Sequence, residues 1–163
     1  MSTFTMQEQI LDQWCWAAVA VSVANYIKPN SAPNQCDFAA QALGVAAGCC
    51  GNPAPAVCDQ PYSLNQALND LNRQAASPIL GPLKFSQIRQ AIDGGWPIPV
   101  RIVWEDNPGN AHFVVITGYY MSPRGVPLLQ VDDPFYDRSI VEYETFVSSY
   151  KGSGSWERSY VLG

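Results

Sequence analysis

An α+β fold is the architecture this sequence predicts, on three observations. Apolar residues recur with a helical period in the first half and with a period close to two after Gly95. Pro-Gly and Asn-Pro turns punctuate the second half, and no repeat or Ser/Gly-rich linker divides the chain. Helices followed by antiparallel strands bury their apolar faces together as an α+β domain. A length of 163 residues suits a single domain over 1–163, large enough to bury about two-thirds of its unfolded surface.

The first expected element runs from Trp14 to Ile27, Ala-rich and apolar on almost every face, with Asp12 as its expected N-cap and Pro29 as its stop. Such a segment reads as a central, buried helix. Cys15 falls in its first turn, where backbone N–H groups are unpaired and the dipole favours an anion. A short helix is expected around Phe38 to Leu43, followed by the loop Gly-Cys-Cys-Gly-Asn-Pro. Leu64, Ala67, Leu68 and Leu71 then mark one helical face between Tyr62 and Arg73, and Phe85 to Ile92 repeats the pattern until Asp-Gly-Gly breaks it. Beyond Gly95, strands are expected at Ile98 to Trp104, His112 to Tyr120 and Leu128 to Asp132. The turns Asn-Pro-Gly-Asn and Ser-Pro-Arg-Gly separate them. A fourth strand at Ser139 to Tyr143, a short helix at Thr145 to Tyr150 and a last strand at Trp156 to Val161 complete the chain.

Four of the five cysteines, Cys36, Cys49, Cys50 and Cys58, cluster in one stretch. Adjacent cysteines rarely bond to each other, so Cys36 and Cys58 each take one of the vicinal pair, and two connectivities stay open. Zinc is the weaker alternative, because ribbons and fingers use a Cys-x2-Cys spacing that this cluster lacks. Reduced core thiols are the third alternative, and the one a cytosolic protein would adopt.

Composition narrows the function. Charged residues make up 14% of the chain, and 13 prolines with 12 glycines imply many ordered loops rather than disorder. A net charge of −5 without a Lys/Arg run excludes a phosphate-backbone footprint, so no nucleic-acid partner is expected. The apolar stretch from Trp14 to Ile27 is broken by Ser22 and Asn25 and falls short of the roughly 20 residues that span a bilayer. A soluble protein with no membrane partner is therefore expected, and a monomer is the expected state. The segment before Gln9 has neither the basic region nor the apolar core of a secretory signal.

Chemistry concentrates at Cys15 and His112, the latter being the only histidine in the chain. A thiol becomes a nucleophile at neutral pH with a neighbouring imidazole, and one is on offer. A carboxylate downstream would orient that imidazole, and Asp132, Asp133 and Asp137 compete for the role. Strand alternation sends Asp132 and Asp133 to opposite faces, so one of the two at most meets the ring.

Gln9, Cys15-Trp16-Ala17-Ala18, Ala111-His112-Phe113-Val114-Val115 and Asp133-Pro134 together resemble the papain-like cysteine peptidases. The likeness is strongest to bacterial members: effector proteases of plant pathogens and peptidases that trim bacteriocin leaders. The Cys36 to Cys58 stretch also resembles the Cys-Cys loop of the effector-like branch. The resemblance implies a papain-like fold, with the Cys at the start of the central helix and the His opening a strand. It assigns Cys15 as nucleophile, His112 as general base and acid, Asp133 as orienter and Gln9, six residues before the nucleophile, as oxyanion donor. Papain itself uses Asn as orienter, which keeps Asn107 and Asn110 as competitors, while Gln7 and Gln13 compete with Gln9. Ala111 departs from the Gly that many relatives carry before the His. Trp14, Trp16, Trp96 and Trp104 are assigned to core rather than to binding.

The expected activity is hydrolysis of peptide bonds in a protein or peptide substrate through a thioester, with no metal or organic cofactor, since side chains supply nucleophile and acid–base alike. A bacterial effector or toxin, secreted or delivered to a target cell, is the biology the resemblance implies. Two other readings remain: another thiol acyl-transfer enzyme such as a transglutaminase or deamidase, and a silent disulfide-stapled binding domain that keeps the fold.

Overall fold

The computed structural model describes residues 3–46, 48–73 and 78–163. The chain divides into two compact units, Met1–Gln74 and Ala75–Gly163.

The first unit is helical. Helix α1 (Cys15–Ile27) is buried from Cys15 through Ala24, as its all-round apolar sequence demands. Its N-cap is Trp14, which makes no side-chain cap bond. The expected cap, Asp12, lies two residues too early. The chain turns at Leu11, whose carbonyl accepts the Trp14 N–H at 3.1 Å. Helix α2 (Gln35–Leu43) starts at Asn34, whose side chain accepts the Asp37 N–H, and stops at Gly44 in the left-handed region at φ 68°. A 3₁₀ turn follows at Ala56–Cys58, and α3 (Leu64–Asp70) is capped by Ser63. Around α1, Trp16 packs against Phe38 and Tyr62 with ring centroids 5.9 and 4.9 Å apart.

Cys36 bonds to Cys50 and Cys49 to Cys58, which is one of the two pairings that vicinality allows. With their sulfurs joined, the Cys36, Asp37 and Cys50 cluster offers no thiolate to a metal. Cys15 is the free cysteine.

The second unit is an antiparallel sheet with two helices. Its strands are β1 (Ile79–Leu80), β2 (Ile98–Trp104), β3 (Ala111–Met121), β4 (Pro127–Asp133), β5 (Asp137–Glu142) and β6 (Gly154–Ser159), in the order β1-β6-β2-β3-β4-β5. Helices α4 (Phe85–Asp93) and α5 (Tyr143–Ser149) complete it. The β1 strand is absent from the sequence reading, because two residues are too few to show alternation. Strand β2 coincides with the expected segment, and β3 and β4 each extend one residue further at both ends. The core gathers Ile88 of α4 and Phe146 of α5 with Val100, Ile102, Val114, Ile116, Leu129 and Val131 of the sheet, all fully buried. Among the described residues, no helix is long and apolar enough to cross a membrane.

Candidate active site

In the second unit, the sheet brings the side chains of His112 and Asp133 together. Val115 lies opposite Asp132 in the β3–β4 register, and paired residues share a face. Asp133 therefore lies on the other face, with Val114 and His112. There, His112 Nε2 and Asp133 Oδ1 are 2.8 Å apart, with 10% of the imidazole side chain and none of the carboxylate side chain exposed. Asp132, on the opposite face, is held by Arg138 Nε at 3.0 Å and by the Thr117 hydroxyl.

The Asp133 carboxylate is saturated. Besides His112, its Oδ1 accepts the backbone N–H groups of Phe135 and Tyr136 at 2.8 and 3.0 Å, the turn that an Asp-Pro pair initiates. Its Oδ2 accepts the Tyr150 hydroxyl at 2.6 Å. Burial pushes the carboxyl up. The bond and charge of His112, the Tyr150 hydroxyl and the Tyr136 N–H outweigh it and hold the group below its ordinary value. Asp133 thus starts a turn and holds the ring at once.

Aromatic rings enclose the pair. Trp104 stacks on His112 with centroids 5.9 Å apart and on Tyr150 at 6.4 Å, and the rings of Tyr136 and His112 meet nearly at right angles with centroids 6.4 Å apart. Trp104, assigned to core on sequence grounds, is only partly buried and lies against the imidazole. Trp14 and Trp16 are indeed core, 0% and 1% exposed. Tyr150 carried no sequence signal, since it reads as the end of a helix.

In the first unit, Cys15 is the first residue of α1 and is buried. The first intrahelical bond runs from the Ala18 N–H to the Trp14 carbonyl, so the N–H groups of Cys15, Trp16 and Ala17 stand ahead of the helical ladder, at the positive end of the dipole. The turn is clamped by a strap at Cys58, Asp59 and Gln60. Asp59 Oδ1 accepts the Gln13 N–H at 2.8 Å, while the indole N–H groups of Trp14 and Trp16 donate to the carbonyls of Cys58 and Gln60 at 2.6 and 2.9 Å. The Cys49–Cys58 disulfide anchors the strap.

Gln9 lies ahead of this turn. Its Nε2 donates to the Leu11 and Asp12 carbonyls at 3.1 and 2.8 Å, and its Oε1 is buried with no hydrogen-bond partner. Gln7 donates its backbone N–H to Ser22 Oγ and accepts from Gln35.

A thiol at the start of a buried helix and a histidine–carboxylate pair on an antiparallel sheet are the parts of the papain-like cysteine-peptidase fold. The chain belongs to the Peptidase_C39 like family, whose model matches residues 1–160. It is similar to a crystal structure of the Amb a 11 cysteine protease, a major ragweed pollen allergen, in its proform. That match has a TM-score of 0.50 at 15% identity and covers 95% of this chain and 62% of that one. A second structure of the same proform gives a TM-score of 0.44 at 14% identity, with 95% and 61% covered. The chain thus spans less than two-thirds of the length of that protease, and at such identity the likeness concerns the fold alone. No curated protein matches the sequence.

Proposed function

We propose that this chain is a peptidase in which Cys15 is the nucleophile, His112 its general base and acid, and Asp133 the group that orients the imidazole. The observation that carries the reading is the buried bond between the chain's single histidine and Asp133, at 2.8 Å. Asp133 occupies Nε2, which leaves proton transfer to Nδ1. The Cys15 thiol gives its proton to Nδ1 as sulfur attacks the substrate carbonyl carbon. The tetrahedral intermediate collapses when His112 returns that proton to the leaving amine, producing a thioester. Water, deprotonated by the same ring, then releases the carboxylic acid and restores the thiol.

The developing oxyanion needs two donors. The Cys15 N–H is one. Gln9 becomes the other by exchanging its longer bond, to the Leu11 carbonyl at 3.1 Å, for the oxyanion.

The substrate class is protein or peptide, and the enzyme acts as a monomer. The two disulfides support work in an oxidising compartment, consistent with a secreted effector delivered to another cell.

Cys15 labelling by iodoacetamide at pH 6, read by peptide mass spectrometry, tests the pairing, alongside digestion of a peptide library. His112→Ala is expected to slow labelling by at least about tenfold and, like Cys15→Ala, to abolish cleavage. Equal labelling, or a fully active Cys15→Ala variant, overturns the reading. Ammonia release from glutamine peptides with no backbone cut would make the enzyme a deamidase instead.

A further inference from the structure

Resting on the roles proposed for His112 and Asp133, we propose that Tyr150 is a positioning residue of this site: its buried hydroxyl, bonded to Asp133 Oδ2, holds the carboxylate in the orientation that presents Oδ1 to His112.

The geometry leaves Tyr150 little else to do with its hydroxyl. The residue is 1% exposed, and its O–H reaches Asp133 Oδ2 at 2.6 Å. Oδ1 already takes His112 and two backbone N–H groups. Without Tyr150, Oδ2 would be a buried anionic oxygen without a donor, at a cost that rotation of the carboxylate would relieve only by breaking the Oδ1 bonds.

Tyr150 is itself fixed from both sides along the chain. It follows α5, its ring packs on Phe146 at 5.1 Å, and it opens a tight turn. In that turn, Lys151 and Gly152 have φ of 51° and 87°, and Tyr150 and Gly154 exchange backbone N–H···O bonds at 2.8 Å in both directions. Positive φ at Lys151 and Gly152 lets the three-residue loop turn back sharply enough for Gly154 to pair with Tyr150. Gly154 then enters β6 opposite Trp104, the ring that stacks on both His112 and Tyr150.

The charged and titratable groups facing the phenol are Asp133 of β4, Tyr136 of the following turn and Lys151 of its own turn, with the charge of Asp132 felt from the opposite face of the sheet, while His112 of β3 lies across Asp133. Burial and the adjoining Asp133 push the Tyr150 hydroxyl far up, so it stays a neutral donor throughout the working range of pH. A donor of that kind favours the ionised carboxylate.

The test is Tyr150→Phe, which keeps the ring and removes the O–H. Because His112 is the only histidine, its imidazole NMR signals report Asp133 protonation without a substrate. The low-pH inflection on those signals is expected to move up by about one pH unit. The acid limb of kcat/KM should move with it, with kcat lowered about tenfold and KM unchanged. An inflection and acid limb at their wild-type positions overturn the proposal, even if stability falls, because a purely structural tyrosine would not move them. Should Tyr150→Phe fail to fold, 3-fluorotyrosine incorporation strengthens the donor and is expected to move the inflection down; no movement, or movement upward, overturns it. Failure of the peptidase reading shows separately, as cleavage that persists in Cys15→Ala and His112→Ala while the Tyr150 inflection still shifts.

Discussion

Asp133→Ala and Asp133→Asn are expected to separate widely in stability, because one orphans four donors, two buried and two part-buried, and the other orphans at most one. In the wild type, His112 Nε2, the Phe135 and Tyr136 N–H groups and the Tyr150 O–H all converge on this carboxylate. Each buried donor left without an acceptor costs about 1–3 kcal/mol. Water entering the vacated space recovers part of that, so a loss of about 3–5 kcal/mol is expected for alanine. Asparagine keeps an oxygen for the three Oδ1 donors and turns its amide toward the Tyr150 oxygen, which can rotate to accept. Its cost is about 1–2 kcal/mol, mostly lost charge assistance. The gap of about 2–3 kcal/mol corresponds to roughly 4–12 °C between the two melting temperatures. Acid adds a second reading. The folded carboxyl sits below its ordinary value of 3.8, so ionisation contributes stability that is full above 3.8 and lost as pH falls through the lower, folded value. The advantage of wild type over Asp133→Asn should shrink in that window. Thermal melts of the three proteins at pH 7 and through the acid range measure both effects. Alanine and asparagine variants melting within a degree of each other, or an advantage unchanged in acid, would refute the four-donor account.

Two further substitutions test the supports of the site. Replacing Cys49 and Cys58 together by serine opens a loop of sequence separation 9 and should cost about 2.5 kcal/mol; an unchanged denaturant midpoint under non-reducing conditions would show the bond to be unimportant. At Gly154, a Cβ would lie 2.7 Å from Ile102 Cγ2 and 2.9 Å from both Trp104 Cζ3 and the Tyr150 carbonyl oxygen, so Gly154→Ala should cost about 1–3 kcal/mol. A wild-type denaturant midpoint would contradict the close packing.

Much of the fold was legible because its signals are local. The buried α1 follows from an apolar run too uniform to have a wet face, and β2 from alternation bounded by Gly95 and the Asn107–Gly109 turn. What failed locally failed for stated reasons. Asp12 has the chemistry of an N-cap, but the loop carbonyl of Leu11 and the side chain of Asp59, 46 residues from Gln13, organise the helix start instead. Vicinal cysteines limited the disulfides to two pairings. Choosing between them needs the position of the 3₁₀ turn that carries Cys58, which the short apolar pattern there does not reveal.

The site divides along the same line. Alternation alone separates Asp132 from Asp133, because adjacent strand residues face opposite ways, and the β3–β4 register then decides which of them shares a face with His112. Tyr150 could not be found that way. Its bond to Asp133 spans 17 positions and depends on a strand, a helix and a turn all arriving at one carboxylate, so no single periodicity encodes it. The residues proposed for the chemistry were visible as rare types in the chain, a lone histidine and a cysteine outside the cluster. The tyrosine that saturates Asp133 is one of eight, and only the geometry of Oδ2 distinguishes it from the rest.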